Sequence, residues 1–466
     1  MKRLGLKSTV LATATALISS LGMTSSIAFA KQTTLNIGMA SADAGKLDPH
    51  IATTTPDKGL LHWMFNGLVR ITPGQSNPGL IEPDIASSWT TSDDGLTWVF
   101  TMRDDVECHG EYGNLDAEDV VFSLRRSSNK EQSSFSGDFA AFKSIEATGD
   151  YEVTITLSNP IPSLLGTLVP YHGGNIVCKD AVEALGEGYE RSPIGTGPFM
   201  FAEYQPQQYV RLVSNPEYFR GEPKIKEIFY RYIPSDASRD LAFQSGEIDM
   251  IYGRQDQTWV ERIKKLPGTK VAIMSPGEMS MISLNKTVAP LDDIRVRKAV
   301  AHSIDRERMV MFKGQDVALP AVSVVPEGYL GYTPNVPKYE FSVEKAKALL
   351  SDAGYPNGVT IKAIHTSLPG MLSTMEALQS LLRDSGINLE IEVVEHATFH
   401  EQIRKDMSQV THYSAARFPV ADTYLTQFFH SNSIPLKPTA VTNFSHCDVA
   451  DAEIEAARTE PDPDRQ

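Results

Sequence analysis

The chain has 466 residues, of which 41% are hydrophobic and 22% are charged, a balance typical of globular proteins with more than one domain. Its formal net charge is −15, and removing the three basic residues of a leader peptide would leave −18. This charge excludes nucleic acid and anionic membrane surfaces as expected partners, because both are themselves negatively charged.

The amino terminus has the organisation of a secretory signal peptide. Lys2, Arg3 and Lys7 form a basic start, an apolar stretch covers 10–21, and residues 28–30 (Ala-Phe-Ala) offer a small-x-small cleavage site. The apolar stretch is too short and too polar for a membrane anchor. We therefore expect cleavage after Ala30 and export to the periplasm.

Strand-like alternation and helical spacing of apolar residues follow one another along the rest of the chain. In the first half, strands are predicted at 33–39, 98–102, 151–157, 199–203, 209–213, 225–233 and 249–252, and helices at 58–68, 117–126 and 239–244. In the second half, strands are predicted at 271–274, 281–284, 359–363 and 387–394, and helices at 293–303, 306–312, 343–353, 372–382, 399–405 and 452–458. The alternation predicts an α/β protein with largely parallel sheets.

The sequence lacks the short motifs of common hydrolases, metalloproteases and nucleotide-binding proteins. The glycine-rich stretch 195–198 predicts a turn and not a phosphate-binding loop, because Pro198 has no amide donor and no helix follows it. A group of metal-capable residues fits no compact zinc pattern: Cys108, His109, His172 and Cys178. We therefore expect no catalytic residue, no metal site and no cofactor.

The chain has three cysteines, and an odd number leaves at least one thiol without a partner in the chain. Cys108 and Cys178 lie in the same half, and an oxidising compartment would permit a disulfide bond between them. The alternative is that these two and Cys447 are all buried free thiols. The sequence leaves both possibilities open.

The segment 193–252 combines four features in a fixed order: a Gly-Thr-Gly-Pro turn, a hairpin, an Asn-Pro-Glu-Tyr turn and a helix that stops at Ser-Gly-Glu-Ile-Asp. Further hallmarks occur at 47–68, 85–103, 117–123, 284–310 and 346–359. In this order and behind a signal peptide, they resemble the peptide/nickel family (family 5) of extracytoplasmic solute-binding proteins of ABC transporters, of the dipeptide/oligopeptide-binding type.

The resemblance implies a periplasmic binding protein type II fold, with two α/β lobes joined by a hinge and a third domain inserted in the first lobe. Ligand would lie in the cleft between the lobes and be enclosed by hinge closure. The end of the chain resembles a point inside lobe two, so we expect that the C-terminal elements of the family fold are missing. The implied boundaries are 31–70 and 168–252 for lobe one, 71–167 for the inserted domain and 253–466 for lobe two.

The implied function is to bind peptides or a related small solute and deliver it, as a monomer, to the permease subunits of an importer. Opines, oligosaccharides and metal chelates are alternative ligands. A secreted hydrolase with an unrecognised site and a binding protein that senses ligand without transporting it are alternative functions.

The resemblance also implies where ligand contacts lie, in three segments. They are Ile51, Thr53 and Thr54 after the first strand, Tyr252 and Arg254 at the crossing between the lobes, and Tyr413, Ala415, Ala416, Arg417 and Asp422 in lobe two.

Arg417 stands where many peptide binders of the family carry an Asp that pairs with the α-ammonium of the peptide. A guanidinium repels an ammonium and pairs with carboxylate or phosphate, which predicts an anionic group on the ligand. The alternative is that Arg417 packs or pairs with an acid of the protein such as Asp422. Tyr413 likewise has two open roles, stacking on a ligand or filling the core.

Overall fold

The computed structural model describes residues 33–74, 80–161, 163–171, 173–254, 256–274, 278–416, 420–437 and 442–460. The predicted leader, His172 and Arg417 lie outside the described residues. The fold is mixed α/β. None of the helices in the described part combines the length and the hydropathy needed to cross a bilayer.

The strands are β1 (Thr34–Met39), β2 (Val69–Ile71), β3 (Ile81–Pro83), β4 (Ala86–Thr91), β5 (Thr97–Met102), β6 (Phe142–Gly149), β7 (Glu152–Leu157), β8 (Phe199–Gln205), β9 (Tyr209–Ser214), β10 (Glu227–Tyr232), β11 (Met250–Ile251), β12 (Met279–Leu284), β13 (Val359–Thr366), β14 (Ile387–Val394) and β15 (Val410–Ala415). The helices are α1 (Thr55–Leu61), α2 (Ala117–Ser128), α3 (Leu164–Thr167), α4 (Lys179–Leu185), α5 (Asp236–Gln244), α6 (Gln257–Lys264), α7 (Ile294–Ser303), α8 (Arg306–Lys313), α9 (Val343–Asp352), α10 (Pro369–Asp384), α11 (His396–Arg404), α12 (Ala421–Phe429) and α13 (Asp451–Thr459).

The first sheet has the order β11-β1-β10-β9-β8. Strand β1 is parallel to both β10 and β11, while β8, β9 and β10 form an antiparallel meander. One face is apolar because alternate residues of the strands point to the same side, and Ile37, Val210 and Ile228 are buried there. The carboxyl ends of the three parallel strands therefore meet at one edge.

The second sheet has the order β12-β15-β13-β14. Strands β14, β13 and β15 are parallel, and β12 is antiparallel to β15. Helices α7, α9 and α10 cover one face and bury Ile361, Leu389 and Val410 at 0 to 1% exposure. This arrangement also places three parallel carboxyl ends at one edge.

A third sheet, β4-β5-β7-β6, is antiparallel throughout. The prediction of largely parallel sheets is therefore wrong for this part, because short β-hairpins join β4 to β5 and β6 to β7. A disulfide bond joins Cys108 to Cys178, whose Cα atoms lie 6.1 Å apart, and Cys447 is a partly exposed free thiol. The largest apolar cluster runs continuously through the first and third sheets.

The predicted helix 58–68 is wrong in its second half, because α1 ends at Leu61. The residues after Leu61 pair with the Gly-Thr-Gly-Pro turn and the residue that follows it. The carbonyls of Trp63 and Met64 accept hydrogen bonds from the amides of Phe199 and Gly197 at 3.0 and 2.8 Å. A Cβ on Gly197 would lie 2.5 Å from the Met64 carbonyl carbon, so only glycine permits this approach. The predicted strand 271–274 is also wrong, since its residues form neither strand nor helix.

Candidate functional site

The carboxyl edge of the second sheet is a candidate ligand site, because ligands of open α/β sheets bind outside the carboxyl ends of the strands. Strands β13, β14 and β15 end at Thr366, Val394 and Ala415. Strand β12 starts at the same edge, since Met279 pairs with Ala415.

A chain of hydrogen bonds through two histidines crosses three strands at this edge. The Thr366 amide donates to His365 Nδ1 at 2.6 Å, His365 Nε2 lies 3.0 Å from His412 Nδ1, and His412 Nε2 lies 2.9 Å from Ser280 Oγ. The register explains the contact, because pairing of Ala363 with Val410 sets His365 beside His412 on one face of the sheet. We call Thr366, His365, His412 and Ser280 the histidine relay.

The backbone amide fixes the direction of the histidine relay. An amide can only donate, so His365 Nδ1 accepts and its proton lies on Nε2. That proton is donated to His412 Nδ1, which leaves the proton of His412 on Nε2, directed at Ser280 Oγ. The serine oxygen therefore accepts this hydrogen bond.

Both histidines of the relay are neutral. His365 and His412 are 0% and 4% exposed, and burial lowers the pKa of each to about 4. For His412, the proximity of the His365 ring and the charge of Lys313 lower the pKa further. The direction of the relay therefore holds throughout the neutral pH range.

A second pair of histidines lies on helix α11, at the end of β14. His396 Nδ1 is 3.0 Å from Thr366 Oγ1, and its ring centroid is 4.6 Å from that of His400. Burial lowers the pKa of His400, and its Nδ1 has no hydrogen-bond partner among the described residues. The His400 ring faces Tyr413 with a centroid distance of 6.2 Å.

The predicted residues of the 413–422 segment have mixed surroundings. Tyr413 packs against Phe444 and Phe428, with ring centroids 5.5 and 6.2 Å away. Ala415 is buried, and its carbonyl accepts the Tyr424 hydroxyl at 2.9 Å, whereas Ala416 is exposed at the edge of the sheet.

Asp422 is engaged by the protein itself. Its Oδ1 accepts hydrogen bonds from Arg458 Nε at 3.0 Å and from Thr426 Oγ1 at 2.9 Å. A ligand contact at Asp422 would have to compete with the Arg458 guanidinium.

The loop after β1 is held by a buried ionic group. Arg126 pairs with Asp48 and donates to His50 Nδ1 at 2.8 Å, while His50 Nε2 donates to the Asn175 carbonyl at 2.9 Å. Burial, and then the charge of Arg126, lower the pKa of His50 to about 4, so this ring is neutral. The group fixes the backbone immediately before Ile51.

The three predicted residues of this loop differ in what they can offer. The Ile51 carbonyl accepts the Ser134 hydroxyl at 3.0 Å. Thr54 is the N-cap of α1, and its hydroxyl donates to Asp57 Oδ2 at 2.7 Å. Thr53 is exposed.

The segment 252–254, which leads from the first sheet into the second half of the chain, carries the other two predicted ligand contacts. We call this segment the crossing. Tyr252 is 54% exposed and its amide donates to the Gly38 carbonyl at 3.2 Å. Arg254 pairs with Asp236 and Asp240 at 3.3 and 3.2 Å and lies over the Trp259 ring. Arg254 therefore fastens the crossing to α5 and α6.

The two halves of the fold meet close to the histidine relay's edge. Burial raises the pKa of Tyr329, which stacks edge-on with Tyr424 at 5.5 Å, and nearby Tyr171 raises it further. The Lys58 ammonium in turn lies 4.6 Å from the ring centroid of Tyr171. Val420, 5% exposed, joins the large cluster of the first and third sheets. Segments from both halves thus contact one another here.

Sequence reasoning missed the histidines at this edge. The spacing of His396 and His400 on one helical face was a possible signal, but the partnership of His365 and His412 depends on strand register. Among the described residues, no three His, Cys, Asp or Glu side chains are grouped as a metal site would require. A concavity of about 460 Å³ lies elsewhere, along Asn36, Tyr209 and Phe229 of the first sheet.

Comparison with known proteins places the chain among bacterial binding proteins. The sequence profile described as "Bacterial extracellular solute-binding proteins, family 5 Middle" matches residues 81–435. The solute-binding protein MoaA of Agrobacterium tumefaciens R10, solved in complex with mannopinic acid, is 45% identical with a TM-score of 0.81, covering 93% of this chain and 88% of that one.

Two curated relatives are more distant. Heme-binding protein A of Haemophilus influenzae is 27% identical over 63% of this chain and 57% of its own length. The nickel-binding periplasmic protein of Escherichia coli is 30% identical over 69% of this chain and 61% of its own length. The chain thus spans about three-fifths of the length of these relatives.

Proposed function

Since the chain belongs to the bacterial extracellular solute-binding proteins, family 5, we propose that it is the periplasmic ligand-binding subunit of an ABC importer. Its signal peptide would direct export and be cleaved after Ala30. The mature chain would bind its ligand as a monomer and pass it to the permease subunits. Binding between two α/β bodies that close on the ligand suits this role, because closure can change the surface that a permease contacts.

The observation that carries the proposal is the pair of parallel-strand edges in the first and second sheets. Each collects three carboxyl ends, and Val420, which follows the second edge in the chain, packs in the apolar cluster of the first and third sheets. An interlobe site formed in this way would be lined by the loop 49–54, the crossing at Tyr252 and the 413–417 segment.

For the ligand we propose a small polar solute with at least one carboxylate, of the opine kind bound by MoaA. The 45% identity to that mannopinic acid complex exceeds the identity to the nickel-binding and heme-binding relatives, at 30% and 27%. Arg417, which replaces the Asp of peptide binders, also supports a carboxylate ligand, because a guanidinium favours an anionic group on the ligand. Peptides and metal chelates remain the alternatives that the experiment must distinguish.

Among the predicted contacts, we retain Ile51, Thr53 and Thr54 of the first loop, Tyr252, and the segment Tyr413, Ala415, Ala416 and Arg417. Arg254 and Asp422 are assigned structural roles instead, since their charged groups already pair with Asp236, Asp240 and Arg458.

We infer further that the chain is not a hydrolase. A serine beside two histidines superficially resembles a nucleophile with its general base, as in the Ser-His-acid arrangement. A base must accept the serine proton, whereas the His412 Nε2–H is itself a donor to Ser280 Oγ. The direction of the histidine relay therefore argues against nucleophilic catalysis at this serine.

The test is calorimetric titration of the exported chain with mannopinic acid, di- and tripeptides and nickel–histidine. Micromolar or tighter binding of mannopinic acid and none of peptides is expected. Native mass spectrometry of protein purified from periplasm gives an independent answer, since a co-purified peptide would overturn the ligand class. Absence of binding by every compound, with hydrolysis of ester or peptide substrates, would overturn the function itself.

A further inference from the structure

Ser280 lies at the carboxyl edge of the second sheet, and its O–H group is not used by the histidine relay. It is the second residue of β12, beside the carboxyl end of β15, and it is exposed. A serine hydroxyl has one proton to donate and two lone pairs that accept. His412 Nε2–H occupies a lone pair at 2.9 Å, so the O–H is available to donate in another direction.

The relay makes this orientation a fixed property of the site. If His412 were free to change tautomer, Ser280 could donate to its ring and lose its capacity to donate outward. The Thr366 amide prevents that change, since it can only donate to His365 Nδ1 and so sets both rings. Burial of the two rings excludes water, which would otherwise offer alternative partners.

A positive charge lies near the same edge. Lys313 ends helix α8, and its Nζ lies 3.4 Å from the Gly370 carbonyl at the start of α10. Its charge reaches His412, whose pKa it lowers. Burial lowers the pKa of Lys313 itself, while nearby Glu278 raises it and so favours the ammonium form. A hydroxyl donor and an ammonium group at the same edge of a sheet suit a carboxylate.

We propose that Ser280 is a ligand-contacting residue that donates its O–H to a carboxylate oxygen of the ligand, and that His412 and His365 are positioning residues which keep it a donor. This inference rests on the proposed function and specifies which group of the second sheet reads the anionic end of the ligand. Lys313 supplies the charge at the same subsite.

The direct test is titration of the exported chain and its variants with mannopinic acid and with its methyl ester. Ser280→Ala is expected to weaken binding of the acid about tenfold, the loss of one hydrogen bond to a charged group. Ser280→Ala should change binding of the ester much less. Equal affinity of Ser280→Ala and the unmodified chain for the acid would overturn the inference and leave the proposed function intact.

A matched pair of variants at His365 tests the positioning role. Glutamate at this position can only accept, so His365→Glu would reverse the relay, turn His412 into an acceptor for the Ser280 proton and weaken binding as much as Ser280→Ala. His365→Gln keeps a donor for His412 Nδ1 and should retain most of the affinity. Equal affinity of the Glu and Gln variants, both folded by circular dichroism, would contradict the positioning role.

Nitrogen-15 spectra of histidine-labelled protein report the relay without any ligand. We expect His365 and His412 both to carry their proton on Nε2 at pH 7. A proton on Nδ1 of His412 would overturn the inference. Failure of the unmodified chain to bind every compound of the panel would instead overturn the proposed function, and with it this inference.

Discussion

Trp259 donates its indole N–H to the carboxylate of Asp240, with 2.8 Å between Nε1 and Oδ1. The other oxygen of Asp240 accepts from Arg254 at 3.2 Å and from Arg262 at 2.5 Å. Burial alone would raise the pKa of Asp240, but these hydrogen bonds and the charges of the arginines hold it below its ordinary value. Asp240 thus joins α5, α6 and the crossing between the halves of the fold.

Replacement of this carboxylate should therefore destabilise the crossing. Asp240→Asn removes the charge that pairs with two arginines and is expected to lower the free energy of unfolding by about 2 kcal/mol, measured by urea titration. Asp316→Asn is the matched control, because the 39% exposed carboxylate of Asp316 pairs with Lys264 at the surface. We expect a much smaller loss for the control, because surface ion pairs are screened by solvent. Equal losses for both variants would contradict the role of Asp240.

The disulfide bond should contribute more than any single ion pair. It closes a loop between residues 70 positions apart, and loop entropy predicts about 4 kcal/mol for a cross-link of this size. Cys108→Ala/Cys178→Ala should lower the melting temperature by several degrees, as should reductant with the unmodified chain. Cys447→Ala should leave it unchanged, because this thiol is free. Titration of three thiols in the unreduced, unfolded chain would show that the bond does not form.

Stability should fall on mild acidification because four buried histidines must remain neutral. Burial lowers the pKa of His50, His109, His365 and His412 from 6.5 to about 4. Between these pH values the unfolded chain binds protons that the folded chain does not. The stability that the four neutral histidines contribute is thus fully present above pH 6.5 and is lost as the pH falls towards 4.

The measurement is the melting temperature at pH 8, 7, 6 and 5. It should be nearly constant between pH 8 and 7 and fall increasingly below pH 6.5. His109→Gln is the control variant, since Gln does not titrate and can still donate to the Gly197 carbonyl, which His109 Nε2 contacts at 2.9 Å. The melting temperature of this variant should fall less steeply with pH than that of the unmodified chain. Equal slopes would mean that His109 does not contribute to the pH dependence of stability.

Local patterns in the sequence predict most elements of this fold, including β14 over 387–394 and α2, predicted at 117–126 and found at Ala117–Ser128. They fail where a tertiary contact overrides the local preference. Residues 62–68 have helical spacing, yet the carbonyls of Trp63 and Met64 accept hydrogen bonds from Phe199 and Gly197 instead of from the next helical turn. Strand β4 was missed because its outward side is Ser and Thr, which leaves little apolar alternation.

The candidate site was less predictable than the fold. Family resemblance directed attention to 413–422 but gave no reason to join Ser280 with His365, which are 85 positions apart. Their link through His412 depends on the register of β12, β13 and β15, and register follows from the complete set of packed strands. A periodicity read along one strand cannot supply it.

Arg417 provides the remaining test of ligand charge. If it reads an anionic group, Arg417→Ala should weaken binding of mannopinic acid at least tenfold, because a charge-assisted pair in an enclosed site contributes about 1.5 to 3 kcal/mol. Arg417→Lys should recover only part of this loss, since an ammonium cannot form the paired hydrogen bonds of a guanidinium with a carboxylate. The alternative, a structural ion pair, predicts a different result: Arg417→Ala would lower the melting temperature and leave the affinity for mannopinic acid unchanged. Calorimetry and thermal melting of Arg417→Ala and Arg417→Lys decide between a ligand contact and a structural ion pair.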